Sequence, residues 1–181
     1  MSEIYLPDED SYLLSEILKK QIPKLLYKNK NLKFLEIGCG SGIQLQTAFD
    51  SGIKKENIFS CDINEEAVNH CKKLGFKCVK SDLFSNISGK FDVIAFNPPY
   101  LPLDSKEPES SRIATTGGKN GSEIINKFLK QAKKHLAKNG RIFLVASSLT
   151  KNINLSGYKK KILDSKKLFF EELFVWELRQ I

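Results

Sequence analysis

Two kinds of apolar pattern alternate along the chain. Short, nearly continuous apolar runs read as buried strands at 32–37, 57–61, 76–79, 91–96 and 141–146. Between them apolar residues recur at helical spacing. Ile43 to Phe49 begins a short helix that Gly52 ends, and Ala67, Val68, Cys71 and Leu74 form the stripe of a second, closed by Gly75. Asn64 is placed to cap that second helix, with Glu65 and Glu66 in its first turn where the helix dipole favours negative charge. A third helical stretch runs from Ser122 through Leu136, with Asn139-Gly140 as its stop signal. Residues 159–170 fit helix and strand equally, and Leu173 to Leu178 reads as the last strand. Such alternation predicts an α/β chain: a mostly parallel sheet with helices on both faces. Ligands bind such sheets beyond the carboxyl ends of the strands.

Composition narrows the classes. Hydrophobic residues make up 41% and charged residues 28%, which fits one folded domain and not long disorder. The net charge of +8 comes almost wholly from lysine, since the arginines are only Arg112, Arg141 and Arg179. Arginine is the usual bidentate reader of phosphate and guanine, so the excess reads as a lysine-coated surface. The first ten residues carry Glu3, Asp8, Glu9 and Asp10 and no apolar stretch, unlike a signal peptide. No apolar run approaches the ~20 residues of a membrane span. Cysteines at 39, 61, 71 and 78 include no Cys-x-x-Cys pair, so no metal site is expected. Reduced cysteines without a secretory segment predict a cytoplasmic protein.

Chemistry gathers at the strand ends. Glu36-Ile37-Gly38-Cys39-Gly40-Ser41-Gly42 runs from a strand through a glycine turn into a helix. No Gly-Lys-Ser/Thr follows, which excludes a P-loop, and Ile43 stands where a dinucleotide fingerprint wants its last glycine. The pattern resembles motif I of class I S-adenosylmethionine-dependent methyltransferases, whose ligand carries a cationic amino acid that Glu36 would tolerate. Asp62 closes the second strand, where its two oxygens suit ribose hydroxyls, and Asp82 with the Leu83 amide suits adenine. On the loop alone, a nicotinamide cofactor and a purely structural turn remain alternatives.

Phe96-Asn97-Pro98-Pro99-Tyr100 follows the fourth strand. Proline fixes its own φ, lacks an N–H and holds the preceding residue extended, so the two prolines make a stiff arm. The Asn97 side-chain oxygen and the Pro98 carbonyl would converge on one NH₂ group and aim its lone pair at an electrophilic methyl. Tyr100 would offer a flat stacking face. Amide nitrogens are weak nucleophiles, so orientation and charge stabilisation matter more than a strong base.

The glycine loop followed by Asn97-Pro98-Pro99-Tyr100 resembles the HemK-type methyltransferases, which methylate a glutamine side-chain amide. Two flanking stretches, Ile4 to Leu14 with Pro7, Asp10 and Ser11, and Gly117-Gly118-Lys119-Asn120-Gly121, resemble the archaeal and eukaryotic branch. With Lys167 to Leu173 the likeness covers essentially the whole chain. It implies a Rossmann-like class I fold in one domain, 1–181, with a seven-stranded sheet ordered 3-2-1-4-5-7-6. Residues 1–30 would supply a cofactor-covering segment and helix, and 31–181 the catalytic core. The resemblance further implies S-adenosyl-L-methionine bound by Ser11, Glu36, Gly38, Gly40, Asp62, Asp82, Leu83 and Asn97. Asn97, Pro98, Pro99 and Tyr100 would hold the glutamine, with Asn97, Pro98 and Tyr100 catalytic.

The implied substrate is the Gly-Gly-Gln loop of a class I peptide-chain release factor. Some 30 residues before the first strand are too few for the extra helical domain of bacterial members, and the segment between strands five and six is short enough to lack its helix. Residue chemistry leaves two rivals open, because an adenine amine is also a planar NH₂ group. One is a nucleic-acid aminomethyltransferase, although no spare element for base flipping is present; the other is a non-catalytic cofactor-binding scaffold. The long polar stretch 101–118 is expected to shape the substrate entrance, and Lys106, Arg112 and Lys119 either meet acidic substrate surface or are solvated. In the implied order the third strand is an edge open to strand addition. Members of the branch work with a small zinc-binding activator subunit, for which that edge is the candidate dock.

Overall fold

A computed structural model describes residues 4–104 and 115–181. Lys106 and Arg112 lie outside the described residues. The elements in chain order are α1 (Glu9–Lys28), β1 (Phe34–Ile37), α2 (Ile43–Asp50), β2 (Ile58–Asp62), α3 (Glu65–Lys73), β3 (Lys77–Lys80), β4 (Phe91–Phe96), α4 (Glu123–Ala132), β5 (Leu136–Ser147), β6 (Tyr158–Lys167) and β7 (Glu172–Gln180). Seven strands form one sheet in the order β3-β2-β1-β4-β5-β7-β6, as the resemblance implied. β1 pairs in parallel with β2 and β4, and β7 runs antiparallel to both β5 and β6.

Alternation along the buried strands sorts the core into two layers. Phe34, Val93, Ala95, Phe143 and Val145 face one way, onto Leu14, Leu18 and Ile22 of α1 and the apolar sides of α2 and α3. Leu35, Ile37, Ile94, Ile142 and Leu144 face the other way, onto Ile125, Phe128 and Leu129 of α4. Buried on both faces, the central strands read as continuous apolar runs.

Two boundaries differ from the sequence pattern. The helix predicted to reach Asn139-Gly140 ends at Ala132, and the fifth strand begins at Leu136. Lys134 and His135 donate to the carbonyls of Gln131 and Ala132 three residues back, tightening the last turn. Phe91 N–H then donates to His135, and Leu136 pairs with Phe91, so sheet pairing overrides helical periodicity. Asn139, at φ +67°, is a kink in the strand and not a helix cap. Residues 158–167, where helix and strand were equally open, are the edge strand β6, and no helix lies between β5 and β6.

Candidate active site

A cavity of about 640 Å³ opens beyond the carboxyl ends of β1, β2 and β4. Ser11, Glu36, Gly38, Gly40, Asp62, Asp82, Leu83, Asn97, Pro98 and Pro99 all line it. Residues separated by up to 88 positions therefore meet, because β1 is flanked by both β2 and β4.

The glycine turn crosses the end of β2. Gly38 and Cys39 donate to the Cys61 carbonyl at 2.8 and 3.1 Å, and Gly40 N–H donates to Asp62 Oδ2 at 2.9 Å. Gly38 sits at φ +68°, and a Cβ there would lie 3.5 Å from the Phe96 ring. The turn therefore needs glycine for both conformation and close approach. Asp62 Oδ1 accepts from Asn64 N–H at 2.8 Å, and Asn64 Oδ1 caps α3 by accepting from Glu66 N–H at 2.9 Å. Each Asp62 oxygen thus already takes one backbone donor and keeps its second lone pair for a ligand. Burial raises the Asp62 carboxyl above its ordinary range, against the lowering effect of those backbone bonds.

Glu36 is buried at the cavity wall, and its Oε2 has no hydrogen-bond partner. Burial, followed by the negative charge of Asp62, raises its pKa well above 4.5. A cationic or hydroxyl-bearing ligand would relieve this orphaned acceptor. Because the folded pKa is raised, protonated Glu36 favours the fold, and that contribution is lost as pH climbs through the elevated value. Glu36→Gln is therefore expected to raise the ligand-free melting temperature at about pH 8. The gain should disappear below the ordinary value of 4.5. Thermal melts across this range check it; equal melting temperatures throughout would show that Glu36 carries no burial penalty.

Opposite Glu36 lies the proline arm. Asn97 Nδ2 donates to Ser11 Oγ at 3.4 Å, while the buried Asn97 Oδ1 has no partner. No described backbone N–H donates to the Pro98 carbonyl. The Asn97 side-chain oxygen is therefore an unpartnered acceptor, enclosed where Asn97 and Pro98 line the cavity. The arm is clamped from behind. Leu101 donates to Thr115, Gly117 donates back to Leu101, and Thr150 Oγ1 donates to the Tyr100 carbonyl at 2.8 Å. A Cβ on Gly117 would lie 2.5 Å from the Pro99 carbonyl oxygen, and one on Gly121 would lie 2.2 Å from that of Tyr100. Both glycines are there because the arm's backbone fills the space. The Gly117 carbonyl also accepts from Glu123 and Ile124 in the first turn of α4, whose N-cap residue Ser122 makes no side-chain cap bond.

Tyr100 departs from its expected place as a stacking face. It is absent from the cavity lining; its ring packs against the core, and its hydroxyl donates to Asp10 Oδ2 at 3.2 Å. Asp10, buried in the first turn of α1, also accepts from Tyr5 OH, from Ser11 N–H and from Ser11 Oγ. Its carboxylate joins the N-terminal segment to the proline arm. Burial and the Asp10 charge push both phenols up, so each remains a donor to it. The cavity also includes Tyr5, Gln44, Ile63, Thr116, Ile124 and Lys127, none singled out from the sequence. Gln44 Nε2 donates to the Ser11 carbonyl at 2.8 Å, and Lys127 pairs with Asp82 at 2.6 Å. Ile124 and Lys127, one helical turn apart, share the face of α4 that closes the cavity. Lys119 is exposed.

The adenine-side expectation fits in one respect beyond position. Leu83 holds φ +50°, its carbonyl accepts from Ser81 Oγ and Cys61 Sγ, and its N–H carries no hydrogen bond among the described residues. The cavity therefore presents an open backbone donor beside the Asp82 carboxylate, a buried acidic acceptor at Glu36, and the unpartnered Asn97 oxygen of the arm. Among the described residues, no cluster of His, Cys, Asp and Glu is arranged to hold a metal.

Comparison with known proteins gives the family and the fold. The family model of the methyltransferase small domain matches residues 7–160. The chain belongs to that family. A relative in Methanocaldococcus jannaschii, named a protein N5-glutamine methyltransferase, is 38% identical over 97% of this chain and 93% of its own length. The eRF1 methyltransferase catalytic subunit mtq2 of Schizosaccharomyces pombe is 32% identical over 82% of this chain and 74% of its own. The solved Mtq2–Trm112 complex of E. cuniculi, described as responsible for methylating the eRF1 translation termination factor, superposes with a TM-score of 0.74 at 24% identity, covering both chains completely. The methyltransferase thus has the class I fold. Bacterial release factor glutamine methyltransferases match over a smaller share of their length, 52% for the one from Borreliella burgdorferi.

Proposed function

We propose that this methyltransferase transfers the methyl group of S-adenosyl-L-methionine to the side-chain amide nitrogen of the glutamine in the Gly-Gly-Gln loop of a class I peptide-chain release factor. The observation that carries the reading is the buried, unpartnered Asn97 Oδ1 on the same short arm as Pro98, whose carbonyl accepts from no described backbone N–H. A primary amide has two N–H donors on one nitrogen, and two adjacent acceptors satisfy both. Ser11, Glu36, Gly38, Gly40, Asp62, Asp82 and Leu83 hold the cofactor, which supplies an electrophilic methyl on a sulfonium. Asn97 and Pro98 orient the amide and stabilise the positive charge that grows on its nitrogen. The nitrogen then releases its proton to solvent. Pro99 keeps the arm rigid, and Tyr100 acts through Asp10 as a positioning residue. In this reading 1–181 is one domain, with residues 4–12 over the cofactor; Tyr5, Asp10 and Ser11 in the cavity wall support that role.

The names of the sequence relatives support the substrate and, as translation enzymes, a cytoplasmic setting. Among the described residues no helix is long and apolar enough to cross a membrane. The test is transfer of labelled methyl to purified release factor, to its Gln→Ala variant and to nucleic acid. Labelling of release factor alone, lost with the glutamine, is expected; labelling of nucleic acid alone would overturn the reading, and cofactor binding without labelling would favour a scaffold.

A small zinc-binding subunit docked along β3 completes the proposal. β3 is the sheet edge, and Val79 on it is exposed. Ser81 N–H donates to Asp62, an alternation that turns the Cys78 N–H away from β2. Cys78→Pro removes that outward donor and should abolish co-purification with the subunit. Undiminished complex formation by the folded variant would exclude this edge.

A further inference from the structure

The β6–β7 connection ends in two uncovered aromatic rings. Leu168 N–H donates to the Glu171 carbonyl at 2.7 Å and closes the turn. Between them Phe169 is 92% exposed and Phe170 83%, with ring centroids 4.7 Å apart, edge to face. Each ring touches the other and leaves most of its surface in water, an arrangement typical of contact sites.

The position of this tip follows from the register. β7 begins where β5 ends: Ser147 pairs with Leu173, and Ser148 N–H donates to the Glu172 carbonyl. The turn therefore projects past the carboxyl ends of the parallel strands, the end at which the cavity opens. It is braced on both walls of that opening. Glu171 accepts from Ser147 Oγ at the head of the loop whose Thr150 holds the Tyr100 carbonyl. Lys166 pairs with Glu9 at the start of α1, beside the cavity-lining Asp10 and Ser11.

Charge narrows the occupant. β6 is the outer strand of the sheet and carries five exposed lysines: Lys159 and Lys161 share one side, Lys160 lies over the Trp176 ring on the other, and Lys166 is paired with Glu9 beside Lys167; its one acid, Asp164, faces Lys20 at 3.7 Å. At the tip itself Glu171 and Glu172 directly follow the rings. A nucleic-acid backbone would meet those carboxylates at the aromatic contact. A folded protein with an apolar socket beside an acidic surface matches both parts.

We propose that the Phe169–Phe170 tip and the lysine-bearing outer strand β6 dock the body of the protein substrate whose glutamine enters the cavity. The inference rests on the reading in the preceding subsection and adds a second contact outside the cavity. It separates two partners in space, since β3 lies at the opposite edge of the sheet.

The test compares two substrates, full-length release factor and a short peptide bearing Gly-Gly-Gln, for the enzyme with its small subunit. The double variant Phe169→Ser/Phe170→Ser should raise KM for the release factor about tenfold or more, with kcat nearly unchanged. Turnover of the peptide and the melting temperature should stay at the parent values, because both rings lie outside cavity and core. The double variant Lys159→Glu/Lys161→Glu should raise KM for the release factor and flatten its salt dependence. An unchanged KM for the release factor, or an equal loss on the peptide, would overturn the docking role. So would RNA binding lost in the variants while release-factor kinetics persist. If the parent enzyme labels neither substrate, the release-factor reading itself falls and docking falls with it; a parent that labels both and variants that match it sink docking alone.

Discussion

Asn97→Ala is expected to lower kcat on the release factor by about 10²- to 10³-fold, the usual loss when one preorganised polar partner of a transition state is removed. Asn97 Oδ1 is buried without a donor, so the folded chain maintains an unsatisfied acceptor that an incoming amide N–H would satisfy. The positive charge on the attacking nitrogen appears during transfer, and an oxygen fixed beside it stabilises the transition state more than the bound amide. Alanine removes that oxygen and also the Nδ2 that meets Ser11 Oγ. Cofactor affinity should fall by no more than about threefold, because the Glu36, Asp62 and Leu83 groups at the cavity wall are untouched. Titration of the cofactor alongside single-turnover methylation separates the two effects. Turnover within about threefold of the parent would remove Asn97 from the catalytic role.

How much of this was legible beforehand depended on the range over which each feature is built. The glycine turn and the proline arm are local: a few consecutive residues set their backbone, and each follows a strand whose apolar run is unmistakable. The central strands and the Asn64 cap were legible for the same reason. Contacts across long separations were not. Asp10 and Tyr100 are 90 residues apart and Ser11 and Gln44 are 33 apart, and nothing in either neighbourhood marks the pairing. The acidic residues Asp8, Glu9 and Asp10 by themselves argue only against a signal peptide, and nothing local shows that Asp10 is buried and bonded both to Tyr5 of its own segment and to Tyr100 of the arm. Lys127 reads as one more surface lysine, and only the placement of α4 over Asp82 brings it to the cavity. The end of α4 was misplaced because Leu136 continues the helical stripe while its pairing with Phe91 decides the outcome. Residues 159–170 were ambiguous because β6, an edge strand with lysines on it, lacks clean alternation of apolar and polar positions.

The second large effect is expected at Gly121, a residue that lines no part of the cavity. Gly121→Ala places a Cβ where the Tyr100 carbonyl oxygen now stands 2.2 Å away, with Leu101 C and Pro102 N at 3.0 Å. Those are backbone atoms, so no flexible side chain can swing aside. Relief requires moving either the Pro99–Pro102 backbone or the Gly117–Gly121 stretch, and the two are joined by the bonds between Gly117, Leu101 and Thr115. Any such shift displaces the Pro98 carbonyl and Asn97, and misplacement of reacting groups by about 1 Å costs on the order of 10²-fold in rate. Gly121 also holds φ +80°, where an alanine adds roughly 1–2 kcal/mol of backbone strain. Gly89→Ala provides the control. Gly89 sits at φ +88° with no atom within 4 Å of the added carbon, so it incurs the conformational cost and no collision. The control should therefore lower the melting temperature by about 2–8 °C and keep parental kcat. Gly121→Ala should lose more stability than the control and about 10²-fold in kcat, with the cofactor still bound. Matching kcat values for the two variants would mean that the glycine stretch does not set the position of the arm.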